Sequence, residues 1–86
     1  MIYSIQIKKS AQKSLAKISC LDQEKIIIAI HDLGNDPRPL GCKKLSGRDA
    51  WRIRVGDYRV IYEIKNSELF IVVILVGHHS DIYKKH

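Results

Sequence analysis

The stretch Trp51-Arg52-Ile53-Arg54-Val55-Gly56-Asp57-Tyr58-Arg59-Val60-Ile61-Tyr62-Glu63-Ile64 constrains the fold of this chain most. Trp51, Ile53 and Val55 fall on one side and Arg52 and Arg54 on the other, the period of a half-buried strand. After Gly56-Asp57 the alternation resumes. Tyr58, Val60, Tyr62 and Ile64 share one side, and Arg59, Ile61 and Glu63 share the other. Gly56-Asp57 suits a two-residue type II′ loop, with glycine at the first central position. Such a loop sets the register. Val55 faces Tyr58, Arg54 faces Arg59, Ile53 faces Val60 and Arg52 faces Ile61. The apolar residues then line one face, and Arg52, Arg54 and Arg59 gather on the other.

Like charges opposed across two strands cost up to about 1 kcal/mol. A face that only met water could alternate its signs. Three clustered guanidinium groups point instead to an anion, and phosphate is the obvious one because arginine grips it bidentately. The surroundings agree. Between Arg38 and Arg59 there are seven basic residues (Arg38, Lys43, Lys44, Arg48, Arg52, Arg54, Arg59) against Asp49 and Asp57, a net of +5 out of the chain's +6. Charge so concentrated predicts a polyanionic partner such as nucleic acid. An acidic protein is an alternative partner, and a membrane surface fits least, since no basic amphipathic helix with exposed aromatics is apparent.

The 86 residues predict one domain with one core. Ile2 to Ile7 alternates as a first strand, with Tyr3, Ile5 and Ile7 on one face. Ser10 is the expected N-cap of a short helix carrying Ala11, Leu15 and Ile18. Ser19-Cys20-Leu21-Asp22 resembles a capping box for a second helix with Ile26, Ala29, Ile30 and Leu33 as its stripe. Gly34-Asn35 should end that helix, and Pro37 and Pro39 lie beyond it. Lys43 to Gly47 suggests a short strand and turn. Leu69 to Val76 is an unbroken apolar run, expected as a strand flanked by two others and stopped by Gly77. The fold class is α+β, in two layers: an N-terminal strand and helical hairpin packed on an antiparallel sheet of four to five strands.

The last strand should run antiparallel to residues 58–64, which brings its end, with His78, His79 and Tyr83, towards Arg59 and Arg54. That set holds the parts for phosphoryl chemistry without a metal. Arginines hold the phosphate and its developing charge. They stay protonated, so proton transfer falls to His79 or Tyr83, with His78 a neighbour. No cofactor is expected, and no cluster of carboxylates offers the Mg²⁺ site of a two-metal nuclease. Cys20 and Cys42 have neither disulfide-framework nor zinc spacing and are expected to be idle or buried thiols.

At these residues the chain resembles the RelE/ParE superfamily of bacterial and archaeal type II toxins. The carrying features are Lys44-Leu45-Ser46-Gly47, the Trp51–Ile64 hairpin, and Val76-Gly77-His78-His79-Ser80-Asp81-Ile82-Tyr83. The resemblance covers nearly the whole chain and implies one RelE-like toxin domain over residues 1–86. In the RelE branch it implies an endoribonuclease that cuts mRNA in the ribosomal A site by attack of the RNA 2′-hydroxyl on its own phosphodiester, inhibiting translation. That branch places basic residues at Arg52, Arg54 and Arg59 and a tyrosine at Tyr83, while an arginine often stands where this chain has His79. The implied roles are phosphate binding for the three arginines, acid or base for His79, and orientation of the 2′-hydroxyl or base stacking for Tyr83. Lys43, Lys44 and Arg48 are the expected RNA contacts.

The resemblance also implies an acidic antitoxin, encoded by an adjacent gene, that wraps the toxin; the toxin alone is expected as a monomer. Two rival readings come from other classes: a ParE-like toxin that inhibits DNA gyrase by binding, and a homologue that only binds nucleic acid or antitoxin. No stretch approaches the ~18 apolar residues of a membrane-spanning helix, and the expected location is cytoplasmic.

Overall fold

The computed structural model describes residues 3–47 and 49–78. In chain order the elements are β1 (Ser4–Ile7), α1 (Lys9–Ala16), α2 (Cys20–Asp32), β2 (Lys43–Lys44), β3 (Trp51–Val55), β4 (Tyr58–Lys65), a 3₁₀ turn (Asn66–Glu68) and β5 (Phe70–His78). Five strands form one sheet in the order β1-β5-β4-β3-β2. All neighbours are antiparallel except β1, which runs parallel to β5 from Ser4↔Phe70 to Ile7↔Val73. The α+β two-layer reading holds, except that the N-terminal strand joins the sheet as an edge strand parallel to β5, so the sheet is mixed and not wholly antiparallel.

The hairpin takes the expected register: Val55↔Tyr58, Arg54↔Arg59, Ile53↔Val60 and Arg52↔Ile61. Gly56 has φ of 61° and Asp57 is not in the positive region, as a type II′ loop requires. The apolar face of the hairpin packs against the helices. Ala11 and Leu15 from α1 and Ile26, Ile30 and Leu33 nearby in α2 and at its end meet Ile53, Val60, Tyr62 and Ile64 with Ile71, Val73 and Val76 of β5. Trp51, Val55 and Tyr58 pack on the margin of this core, half-buried. Gln23 ties the helices together by donating from Nε2 to the Leu15 carbonyl at 2.8 Å.

One helix boundary departs from expectation, the start of α1. α1 starts at Lys9 with Lys8, not Ser10, at the cap position. The Lys8 N–H is bonded to the Val73 carbonyl at 2.9 Å, so the strand ladder reaches Lys8 and the helix begins at once. α2 does take Ser19 as its cap residue, yet the Ser19 hydroxyl lies 3.4 Å from Asp22 and makes no bond to the helix backbone. Its end falls where expected, just before Gly34: Leu33 closes the helix in right-handed geometry, and Gly34 lacks a positive φ. Gly34 is needed for another reason. A Cβ there would sit 3.0 Å from the Tyr3 carbonyl oxygen, while the Gly34 carbonyl accepts from the Tyr3 N–H at 3.1 Å.

β5 also differs from expectation. It does not stop at Gly77 but runs on to His78, because Arg59 and Tyr58 continue the ladder opposite Gly77 and His78. It carries a bulge as well. Ile61 pairs with Leu75 and Tyr62 with Val73, which leaves Ile74 without a partner. The bulge resets the alternation, so that Ile71 and Val73 before it and Val76 after it all face the helices. Beyond the sheet, the Tyr62 hydroxyl donates to the Pro37 carbonyl at 2.6 Å, and Arg38 lies over the Trp51 ring at 5.0 Å. These two contacts hold the Pro-rich connection against β3 and β4.

Candidate nucleic-acid interface

The face of the sheet turned away from the helices is graded along its length. Lys65 and Phe70, Glu63 and Val72, and Ile61 and Leu75 form successive cross-strand pairs, and the next is Arg59 with Gly77. On the other flank Arg54 is paired with Arg59, and Arg52 with both Ile61 and Lys43. Residues directly opposed in a ladder point to the same side. Lys43 therefore joins Arg52, Arg54 and Arg59 on one face, whereas Lys44, paired with Trp51, takes the other. Glu63 is held at the far end by Lys65 at 3.3 Å.

The three arginines are alike in sequence and unlike in structure. Arg54 is exposed, and its Nε donates to the Gly56 carbonyl at 3.1 Å across the turn. Arg52 is half-buried. Arg59, in the central strand of the five, is only 9% exposed and is the one buried charged residue among those described. Its Nη1 is enclosed and finds no hydrogen-bond acceptor among the described residues. Burial pushes the Arg59 guanidinium down from its ordinary value, the charges of Arg54 and Arg52 push it the same way, and Asp57 opposes them. Arginine nevertheless remains protonated in proteins. The result is a desolvated cation beside two others, with a donor that lacks an acceptor. An anion supplies what this arrangement lacks.

His78 lies on the opposite side. It is paired with Tyr58, and the two rings meet edge to face at 5.6 Å between centroids. His78 is therefore turned away from the arginine row that the sequence predicts it to approach. Its successor His79, together with Tyr83 and Arg48, lies outside the described residues. Among the described residues no three His, Cys, Asp or Glu side chains gather into a group able to hold a metal ion, and both cysteines are free thiols, Cys20 exposed and Cys42 half-buried. No helix among the described residues is long and apolar enough to cross a membrane.

Sequence reasoning treats Arg52, Arg54 and Arg59 as equivalent and passes over Gly77 as a strand terminator. The signal for Arg59 is its place in the middle strand, where both flanks are covered. For Gly77 no signal exists until the bulge at Ile74 is known.

Residues 5–83 match the family model described as the ParE toxin of type II toxin–antitoxin system. Toxin RelG of Mycobacterium tuberculosis is 27% identical over 89 aligned positions that span 99% of this chain and all of that protein. Among solved structures, the archaeal RelE–RelB complex of Pyrococcus horikoshii contains a chain that superposes with a TM-score of 0.83 at 27% identity, covering 92% of this chain and 97% of its own. The intact Escherichia coli RelBE complex gives a TM-score of 0.78 at 24% identity over 88% of this chain and 95% of that one, a likeness of fold. The extent of the family match, with the arginine-bearing hairpin inside it, shows that this chain is a type II toxin–antitoxin toxin of the RelE/ParE superfamily.

Proposed function

We propose that this toxin is an endoribonuclease that cuts ribosome-bound mRNA in the A site and thereby inhibits translation. The observation that carries the reading is Arg59: buried, cationic, flanked by Arg54 and Arg52, and with no acceptor for its Nη1 among the described residues. A scissile phosphodiester supplies that acceptor, and the three guanidinium groups stabilise the extra negative charge of its pentacoordinate transition state. The RNA 2′-hydroxyl loses its proton and bonds to phosphorus. The bond to the 5′-oxygen breaks, and that oxygen takes up a proton. The products are a 2′,3′-cyclic phosphate and a 5′-hydroxyl.

Because arginine does not give up its proton, His79 carries one of the proton transfers, as base or acid, and Tyr83 orients the 2′-hydroxyl or stacks on a base. Lys43 lies on the arginine face and extends the RNA path there; Lys44 adds charge from the other face, and Arg48, outside the described residues, is assigned to RNA contact on the sequence alone. The cognate partner is an acidic antitoxin. The P. horikoshii and E. coli structures are complexes of a toxin with its antitoxin, which supports the same arrangement here. No cofactor takes part, and the reaction belongs in the cytoplasm, where translating ribosomes are.

The chemistry is tested with an mRNA carrying a single 2′-deoxynucleotide immediately 5′ to a mapped cut. Loss of that cut, with neighbouring cuts retained, is expected. Undiminished cutting at the deoxy position contradicts 2′-hydroxyl attack. If the toxin inhibits DNA gyrase and leaves mRNA intact, the gyrase-binding reading replaces this one.

A further inference from the structure

Gly77 stands directly across from Arg59, and one extra residue in β5 is the reason. From Lys65↔Phe70 to Tyr62↔Val73 the ladder advances one residue for one. At Ile61 the partner is Leu75, and Ile74 is passed over. Had the ladder run on unbroken, Val76 would face Arg59 and Gly77 would face Tyr58. The bulge thus does two things at once. It returns Val76, 1% exposed, to the core opposite Val60, and it sets the one side-chain-free residue of β5 directly across the ladder from Arg59. Both devices cost sheet stability: glycine packs nothing in a strand and a bulge interrupts the ladder. Both also mark places where a ligand or another backbone comes close.

Across β3, β4 and β5 at this level the outer face reads Arg54, Arg59, Gly77. Nη1 of Arg59 needs an acceptor, and Arg54 has none to offer. On the β5 side, the ladder position opposed to Arg59 is Gly77, which carries no side chain of its own. We propose that Gly77 is the floor of a lane along which the substrate's sugar–phosphate backbone reaches Arg59, so that it acts as a positioning residue for RNA. This rests on the arginine face being a phosphodiester site, and adds the direction from which the strand arrives.

Directly opposed Cβ atoms stand about 4.5–5.5 Å apart, so any side chain at position 77 would occupy the lane. An inorganic phosphate is small enough to meet the guanidinium from above. A phosphodiester flanked by two riboses is not. The backbone of Gly77 is ordinary strand without a positive φ, so alanine is conformationally allowed there.

The test uses the full chain with Gly77→Ala and Gly77→Val, and two probes: a 2′-O-methyl RNA trinucleotide, which cannot be cleaved, and inorganic phosphate. The trinucleotide is expected to bind roughly tenfold more weakly to Gly77→Ala and weaker still to Gly77→Val, with phosphate within about twofold throughout. Should the valine variant fail to fold, the alanine variant carries the comparison. Unchanged trinucleotide affinity overturns the proposal. So does an equal loss for both probes, which would mean that glycine merely seats Arg59. Gly77-dependent binding by a wild-type protein that cuts no mRNA would remove the nuclease reading and leave the lane standing. Cleavage at the wild-type rate by a folded Gly77→Val variant would do the reverse.

Discussion

Arg54 and Arg59 are directly opposed across β3 and β4, two cations in one cross-strand pair. They resolve their positions differently: Arg54 is exposed and anchored on the Gly56 carbonyl, while Arg59 is buried with Nη1 left over. A pair of this kind weakens the free protein and suits a bound anion. Stability and activity should therefore separate on mutation.

Arg59→Met keeps the bulk of the side chain and removes a desolvated charge. We expect it to be more stable than wild type by about 1–2 kcal/mol, and inactive in mRNA cleavage. Urea unfolding with an unchanged slope reads the first effect. A lower midpoint would make Arg59 a structural residue.

Arg54→Ala should change stability by less than about 0.5 kcal/mol, since the side chain is exposed and its loss relieves repulsion. Its effect belongs in binding. The salt dependence of single-stranded RNA affinity should fall by about 0.7 in the slope of log K against log salt, the value for one phosphate contact. An unchanged slope would place Arg54 outside the RNA path.

Tyr62 gives an alkaline signature. Burial raises its phenol well above the ordinary 10.0, Cys42 and Asp36 add to the rise, and Arg38 opposes it. The folded state thus holds this proton more tightly than the unfolded one. The associated stability is fully present below pH 10 and is lost as pH rises above it towards the folded value. Tyr62→Phe should cost about 1 kcal/mol at neutral pH through loss of the bond to Pro37, and should flatten the fall in stability above pH 10. Unfolding midpoints across that range decide it; a steep alkaline fall in the phenylalanine variant would assign the effect to other groups.

Gly34→Ala should cost about 1–3 kcal/mol by forcing β1 away from α2, because the new Cβ meets the Tyr3 carbonyl oxygen at 3.0 Å. Amide exchange should quicken along Ser4–Ile7 before it does so in β4. Uniform destabilisation would show that β1 is not a separable unit.

How much of this is legible in the sequence depends on how local its cause is. The Trp51–Ile64 hairpin and its register follow from alternation and a two-residue glycine turn, both within a few positions. The helical stripes of Ala11–Leu15 and Ile26–Ile30 follow from spacing in the same way. The start of α1 at Lys9 does not, since it depends on a bond from Lys8 to Val73 at the other end of the chain. Gly34 looks like a helix stop and serves a close approach to Tyr3. The unbroken run Leu69–Val76 hides its bulge because every residue in it is apolar, so no polar residue marks where the faces exchange. Arg59 differs from Arg52 and Arg54 only through strand order, which a pattern of alternation does not contain.

The central claim is that the arginine face cuts mRNA. It is tested most directly by primer extension on mRNA from a purified translation system, with wild-type toxin and with Arg59→Ala. Cuts at codon-defined positions in the wild-type reaction, absent with the variant, are the predicted result. No cuts from a folded, growth-inhibiting wild-type protein, or the same cuts from Arg59→Ala, would contradict it.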